Sequence, residues 1–111
     1  MAEQTPTARA LSSRLTEILR SNVERNTGFI DAGIQARLKA LRPRDIDAIR
    51  PPSLSEANGV WVNDPAFCRR LGAVLFDVSD ETIDELSIRD YQVLLATVYA
   101  NFTSYLEAGA P

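Results

Sequence analysis

Apolar residues recur every three or four positions through much of this sequence, and that spacing is the strongest constraint on its fold. Such spacing places apolar side chains on one face of an α-helix. The sequence therefore predicts an all-α protein, a small bundle of about five helices that share one core. The apolar stripes comprise Leu11, Leu15, Ile18, Leu19 and Val23, then Phe67, Leu71, Val74 and Leu75, and finally Tyr91, Leu94, Leu95, Val98 and Phe102.

Residues that favour helix starts precede the predicted helices. A Ser, Thr or Asp side chain can accept a hydrogen bond from the first turn, and Pro is tolerated at the first helical position. Ser87 and Asp90 have the spacing of a capping box, which would fix the register of the last helix. The other predicted starts lie at Thr5 or Thr7 beside Pro6, at Pro43, at Asp64 beside Pro65, and at Ser79.

Residues 29–41 fit two secondary structures. Ile34 and Leu38 belong both to an alternating pattern typical of a strand and to a spacing typical of a helix, while Gly33 weakens the helical pattern. We favour the helix and keep a short β-hairpin near 29–41 as the alternative. A second hairpin is possible at 58–62, where Asn58-Gly59 favours a tight turn.

The length of 111 residues fits one domain, residues 1–111, with residues 1–6 frayed and residues 51–64 as an irregular hinge. Residues 1–50 carry nine basic and six acidic side chains, and residues 51–111 carry three and nine. In the first helix, Glu17 can pair with Arg14 or Arg20. Because the basic charges can pair within the helix, we expect no nucleic-acid partner.

The composition argues against reactive chemistry. The chain has no His and one Cys, Cys68, so it lacks the usual zinc and heme ligand sets, the commonest general base and an internal disulfide. Asp45 and Asp47 are two positions apart and would point to different sides of a helix. We therefore expect no enzyme activity, no catalytic residue, no metal and no cofactor.

The last predicted helix is apolar over more of its circumference than one stripe requires. It is either enclosed by the other helices or offers a face to a partner protein or another copy. Trp61, in the hinge, would fill the core or anchor a contact. The candidate partner-binding residues are Tyr91, Leu95, Val98, Tyr99, Phe102, Tyr105 and Trp61.

Neither a secretory signal nor an apolar run of about 20 residues is present, so we expect a cytoplasmic protein without a membrane partner. The sequence Asn101-Phe102-Thr103 matches a glycosylation acceptor, but it lies inside a helical pattern, and we interpret it as chance.

Two segments, "ARLKALRPRDIDAI" at 36–49 and "RRLGAVLFDVSDETIDELSIRDYQVLLATVYANF" at 69–102, resemble the small tail assembly chaperones of tailed bacteriophages. That family has a basic Leu-Arg-x-Pro segment, then an acidic turn, an Asp-Tyr pair and a closing helix. It more often begins with a short β segment, from which the first helix here departs. The matching positions are Leu41, Arg42, Pro43, Asp45, Ile46, Leu75, Ile83, Leu86, Asp90, Tyr91, Leu94 and Phe102.

The resemblance implies a non-enzymatic protein that binds tape-measure or tail-tube proteins during assembly in the bacterial host and is absent from the finished particle. Two other functions stay open from the residues themselves. One is a structural subunit that forms homo-oligomers through the same helix. The other is a small acidic inhibitor that mimics nucleic acid with Asp77, Asp80, Glu81, Asp84 and Glu85.

Overall fold

A computed structural model of the chain describes residues 4–49 and 64–108. Within these two ranges the structure has six α-helices and no strand, which confirms the predicted all-α bundle with one helix more than expected. The helices are α1 (Pro6–Arg25), α2 (Ala32–Ala40), α3 (Pro43–Ile49), α4 (Pro65–Leu75), α5 (Asp80–Asp84) and α6 (Ile88–Ala108).

The predicted helix caps are present. Each capping side chain accepts a hydrogen bond from a backbone N–H in the first turn, which would otherwise lack a partner. The cap of α6 joins Ser87 Oγ to the N–H of Asp90 at 3.1 Å. The others are Thr5 to Ala8 at 3.2 Å, Asp64 to Phe67 at 3.0 Å and Ser79 to Thr82 at 3.2 Å.

The β-hairpin considered near 29–41 is wrong, because this segment forms α2. The Asp31 carboxylate caps α2 by accepting a hydrogen bond from the N–H of Ile34 at 3.0 Å, and the helical spacing buries Ile34 and Leu38. The hairpin considered at 58–62, residues 51–63 of the predicted hinge, and Trp61 lie outside the described residues.

Residues 1–6 were predicted to be frayed; residues 1–3 lie outside the described residues, and Gln4 and Thr5 make long-range contacts. Gln4 Nε2 donates to the carbonyl oxygen of Glu85 at 2.9 Å, and the N–H of Thr5 donates to Glu85 Oε1 at 2.7 Å. These contacts join the start of α1 to the turn before α6, 80 residues later. The sequence pattern did not reveal this, because the anchor is a long-range contact.

The core surrounds α6, which packs against α4, α1 and α2. Phe67 of α4 and Phe102 of α6 are buried, with their ring centroids 5.6 Å apart. α4 and α6 approach closely at Gly72, where a Cβ atom would lie 3.3 Å from Val98 Cγ2. On the other side of α4, Arg70 Nε donates to the carbonyl oxygen of Ile49 at 2.7 Å and ties α3 to the bundle.

Candidate partner-binding site

The structure divides the predicted partner-binding face of α6 into buried and accessible parts. Val98 is fully buried and Phe102 is 5% exposed, both within the core cluster. Val98 therefore presents no surface to a partner in this fold, which corrects its predicted role, and Phe102 reaches the surface only as the floor of a groove. Leu95 is partly buried and packs against the same cluster.

Tyr91 faces a charge cluster on its own chain. The Arg69 guanidinium carbon lies 5.8 Å from the centre of the Tyr91 ring, a cation–π contact. The same guanidinium binds Asp80 at 2.6 Å and Asp84 at 2.7 Å. The hydrogen bond from Arg69 holds the pKa of the Asp80 carboxyl below its usual range.

These contacts engage most of the acidic cluster within the fold. Asp80 and Asp84 bind Arg69, and Glu85 holds the N–H of Thr5. Of the five acids proposed to mimic nucleic acid, the side chains of Asp77 and Glu81 make no hydrogen bond or ion pair with the described residues. The arrangement therefore gives little support to an acidic inhibitor.

Tyr99 and Tyr105 lie on two different sides of α6. Tyr99 is 40% exposed and lines a shallow depression together with Gly28, Ile30 and Thr103. Tyr105 is partly buried and lines a deeper groove on the other side of the helix. The two tyrosines do not form one continuous surface, contrary to what the sequence pattern suggested.

The deeper groove lies between the junction of α2 and α3 and the C-terminal end of α6. Residues 38–47 at this junction are called the elbow, and the depression is called the elbow groove. Its volume is about 430 Å³, within the range of protein pockets that bind a ligand or side chains. Leu106, half exposed, forms part of its wall. The lining residues are Leu38, Leu41, Arg42, Pro43, Ile46, Asp47, Phe102, Tyr105 and Leu106.

The candidate residues predicted from the sequence include only Phe102 and Tyr105 of the groove lining. Leu106 lies four residues after Phe102 and seven after Tyr99, so its helical spacing could have added it to the candidate surface. Leu41 and Ile46 also line the groove, and both are only partly buried. Their position opposite α6 depends on how α2 and α3 pack, which the spacing within each helix does not specify.

The elbow beside the groove carries more basic than acidic side chains. Lys39, Arg42 and Arg44 are exposed and form no ion pair with the described residues, whereas the exposed Arg37 lines a different cavity between α1 and α2. The acids of this segment are Asp45 and Asp47, and Asp45 Oδ2 accepts a hydrogen bond from the backbone N–H of Arg42 at 2.8 Å. The carboxylate of Asp45 therefore caps α3.

A second cavity, of about 440 Å³, lies between α1, α2 and the turn after α4. The Arg14 guanidinium in its wall binds the Asp31 carboxylate at 2.7 Å, and not Glu17 as the sequence allowed. Burial would raise the pKa of Asp31, but the hydrogen bonds from Arg14 and from the N–H of Ile34 outweigh it and lower the pKa. Asp31 thus serves as a helix cap and as an ion-pair partner.

Asn101 joins α6 to the loop before α2. Its side chain is fully buried, and its Nδ2 donates to the carbonyl oxygens of Phe29 at 2.9 Å and Thr97 at 2.8 Å. Its Oδ1 accepts from the N–H of Asp31 at 3.0 Å and from Gln35 Nε2 at 3.1 Å. Asn101 is thus a structural residue that positions α2, and with it one wall of the elbow groove.

Cys68 carries a buried thiol. Burial, with a smaller contribution from the charge of Asp64, raises the pKa of the Cys68 thiol to about 11, so the thiolate nucleophile is scarce at neutral pH. Residues 4–49 and 64–108 contain no group of three or more side chains placed to hold a metal ion. Among their helices, none combines the length and apolar character needed to cross a membrane.

Comparisons with protein families, with characterised proteins and with solved structures find no match for this chain.

Proposed function

We propose that this chain is a non-enzymatic protein-binding module that binds a helix of its partner in the elbow groove. The groove is the observation that carries the proposal, because it is an apolar depression of about 430 Å³ with a charged rim. Amphipathic helices bind such grooves through apolar side chains spaced three or four residues apart. The proposed surface is the last two turns of α6 with the α2–α3 elbow.

The more specific proposal is a role as a tail assembly chaperone, which the sequence resemblance suggests. One structural observation supports it. Of the twelve positions that match the family pattern, five line the elbow groove: Leu41, Arg42, Pro43, Ile46 and Phe102.

Co-expression tests this proposal. The chain is produced with a tape-measure or tail-tube protein encoded in the same genome, and the complex is isolated and sized by light scattering. Leu106→Glu places a charge in the half-exposed wall of the groove and should abolish the complex. Ile88→Glu is the matched control, because Ile88 is 79% exposed at the other end of α6, and it should bind normally.

Three outcomes would contradict the proposal. If neither protein forms a complex with the wild-type chain, the chaperone role is wrong. If the two variants bind equally well, the elbow groove is not the binding surface. If the wild-type chain alone forms a defined oligomer that Leu106→Glu dissociates, the groove serves a homo-oligomeric subunit instead.

A further inference from the structure

We infer that the elbow groove takes the apolar face of an acidic amphipathic helix that belongs to another protein. This inference rests on the proposed function and specifies the chemistry of the partner. It is drawn from three observations: the apolar lining, the excess of basic charge at the elbow, and the internal use of the chain's own acidic segment.

The lining determines what enters the groove. Seven of its nine residues are apolar or aromatic, and only Arg42 and Asp47 are charged. Because its lining is mostly apolar, the groove suits the apolar edge of a helix. A volume of about 430 Å³ accommodates roughly two or three large apolar side chains at helical spacing.

The elbow determines the charge of the partner. Residues 38–47 of the elbow carry three basic and two acidic side chains, although the whole chain has a net charge of −3. One acid, Asp45, is engaged as the cap of α3. Arg42 lies in the groove wall itself, where its guanidinium can meet a carboxylate on a bound helix. The flanks of the bound helix are therefore acidic.

A second copy of this chain does not supply such a helix from its acidic segment. α5 has five residues, Asp80–Asp84, and its apolar residue Ile83 is 1% exposed. Asp80 and Asp84 are held by Arg69. Because this segment has neither a free apolar face nor sufficient length, we assign the groove to a different protein.

Two synthetic helical peptides test the inference. Both carry leucines at positions i, i+3, i+4 and i+7, and the remaining positions are mostly glutamate in one peptide and lysine in the other. Binding to the full-length chain is measured by calorimetry at low and high salt. The glutamate peptide should bind more tightly than the lysine peptide, and its advantage should shrink as salt rises.

Two variants locate the contact. Leu106→Glu should weaken binding of the glutamate peptide about tenfold or more, because a charge replaces an apolar anchor. Arg42→Glu should weaken it about three- to tenfold and should strengthen binding of the lysine peptide. Arg20→Glu makes the same charge change at an exposed position of α1, away from the groove, and serves as the control.

The inference fails if the glutamate peptide shows no binding at about 1 mM, if the lysine peptide binds equally well, or if Arg42→Glu and Arg20→Glu have the same effect. It also fails if light scattering shows a dimer of the wild-type chain that Leu106→Glu dissociates. A complex with a full-length partner in the co-expression test, combined with failure here, would leave the proposed function intact and refute only the acidic helix.

Discussion

At the residue scale, Asn101 links the last helix to the rest of the fold. Its amide makes four hydrogen bonds, to Phe29, Thr97, Asp31 and Gln35. In the sequence, Asn101 is only a polar residue inside an apolar stripe. Its role was not predictable, because its partners lie up to 72 residues away and are brought together by the packing of α2 on α6.

Asn101→Ala should destabilise the fold by about 3 kcal/mol, because it leaves buried groups of Phe29 and Asp31 without a partner. Urea unfolding followed by circular dichroism measures the change. Ser104→Ala, on the same helix and without a hydrogen bond to the described residues, should cost under about 0.5 kcal/mol. Equal stability of the two variants would contradict the structural role of Asn101.

Asp31 makes the stability of the fold dependent on pH. Its pKa is lowered in the folded state, so the folded chain holds the proton less strongly than the unfolded chain does. This contribution to stability is complete above the unfolded pKa of about 4 and is lost as the pH falls through the folded pKa. The acid side of the stability profile therefore depends partly on Asp31.

Asp31→Asn tests this dependence, because Asn still caps a helix but cannot ionise. At pH 7 the variant should lose about 1 kcal/mol with the Arg14 ion pair. Its stability should then fall less than that of the wild-type chain as the pH drops below about 4. Urea midpoints across this pH range measure the effect. Glu17→Gln, at an exposed position of α1, is the control. Parallel profiles of stability against pH for Asp31→Asn and wild type would show that Asp31 does not contribute to the pH dependence.

At the element scale, the starts of the helices were the most predictable feature. The cap of α6 joins residues three positions apart, and Asp64 caps α4 over the same separation, so local sequence contains both partners. The start of α2 was ambiguous because Asp31 was not recognised as its cap. The packing of one helix on another was not predictable from spacing, and Gly72 illustrates this at the contact between α4 and α6.

Gly72→Val should destabilise the fold by about 2–3 kcal/mol, because the added atoms meet Val98 and Leu94 in the closely packed core. Ala66→Val places the same side chain on an exposed position of α4 and should cost under about 1 kcal/mol. Thermal unfolding distinguishes them. Similar melting temperatures for the two variants would show that α4 and α6 are not closely packed at Gly72.

At the scale of the whole molecule, the composition and the apolar spacing predict the all-α bundle, but they do not locate its accessible surface. The candidate face on α6 included Val98 and Phe102, which the bundle encloses. The elbow groove combines α2 and α3 with the end of α6, which lies more than 50 residues later in the sequence. Only the packed structure brings the walls of the groove together. The role of Trp61 in the core or in a contact remains a prediction, because Trp61 lies outside the described residues.

We propose that the elbow groove is the surface through which this chain binds its partner. Photo-crosslinking tests it directly, with a benzophenone amino acid at position 106 in the groove wall or at position 88 on the exposed start of α6. Mass spectrometry then identifies the linked residues. If the elbow groove binds the partner, we expect a crosslink from position 106 to an acidic helical segment of another protein and none from position 88. Equal crosslinking from both positions, or a link from position 106 only to copies of this chain, would contradict it.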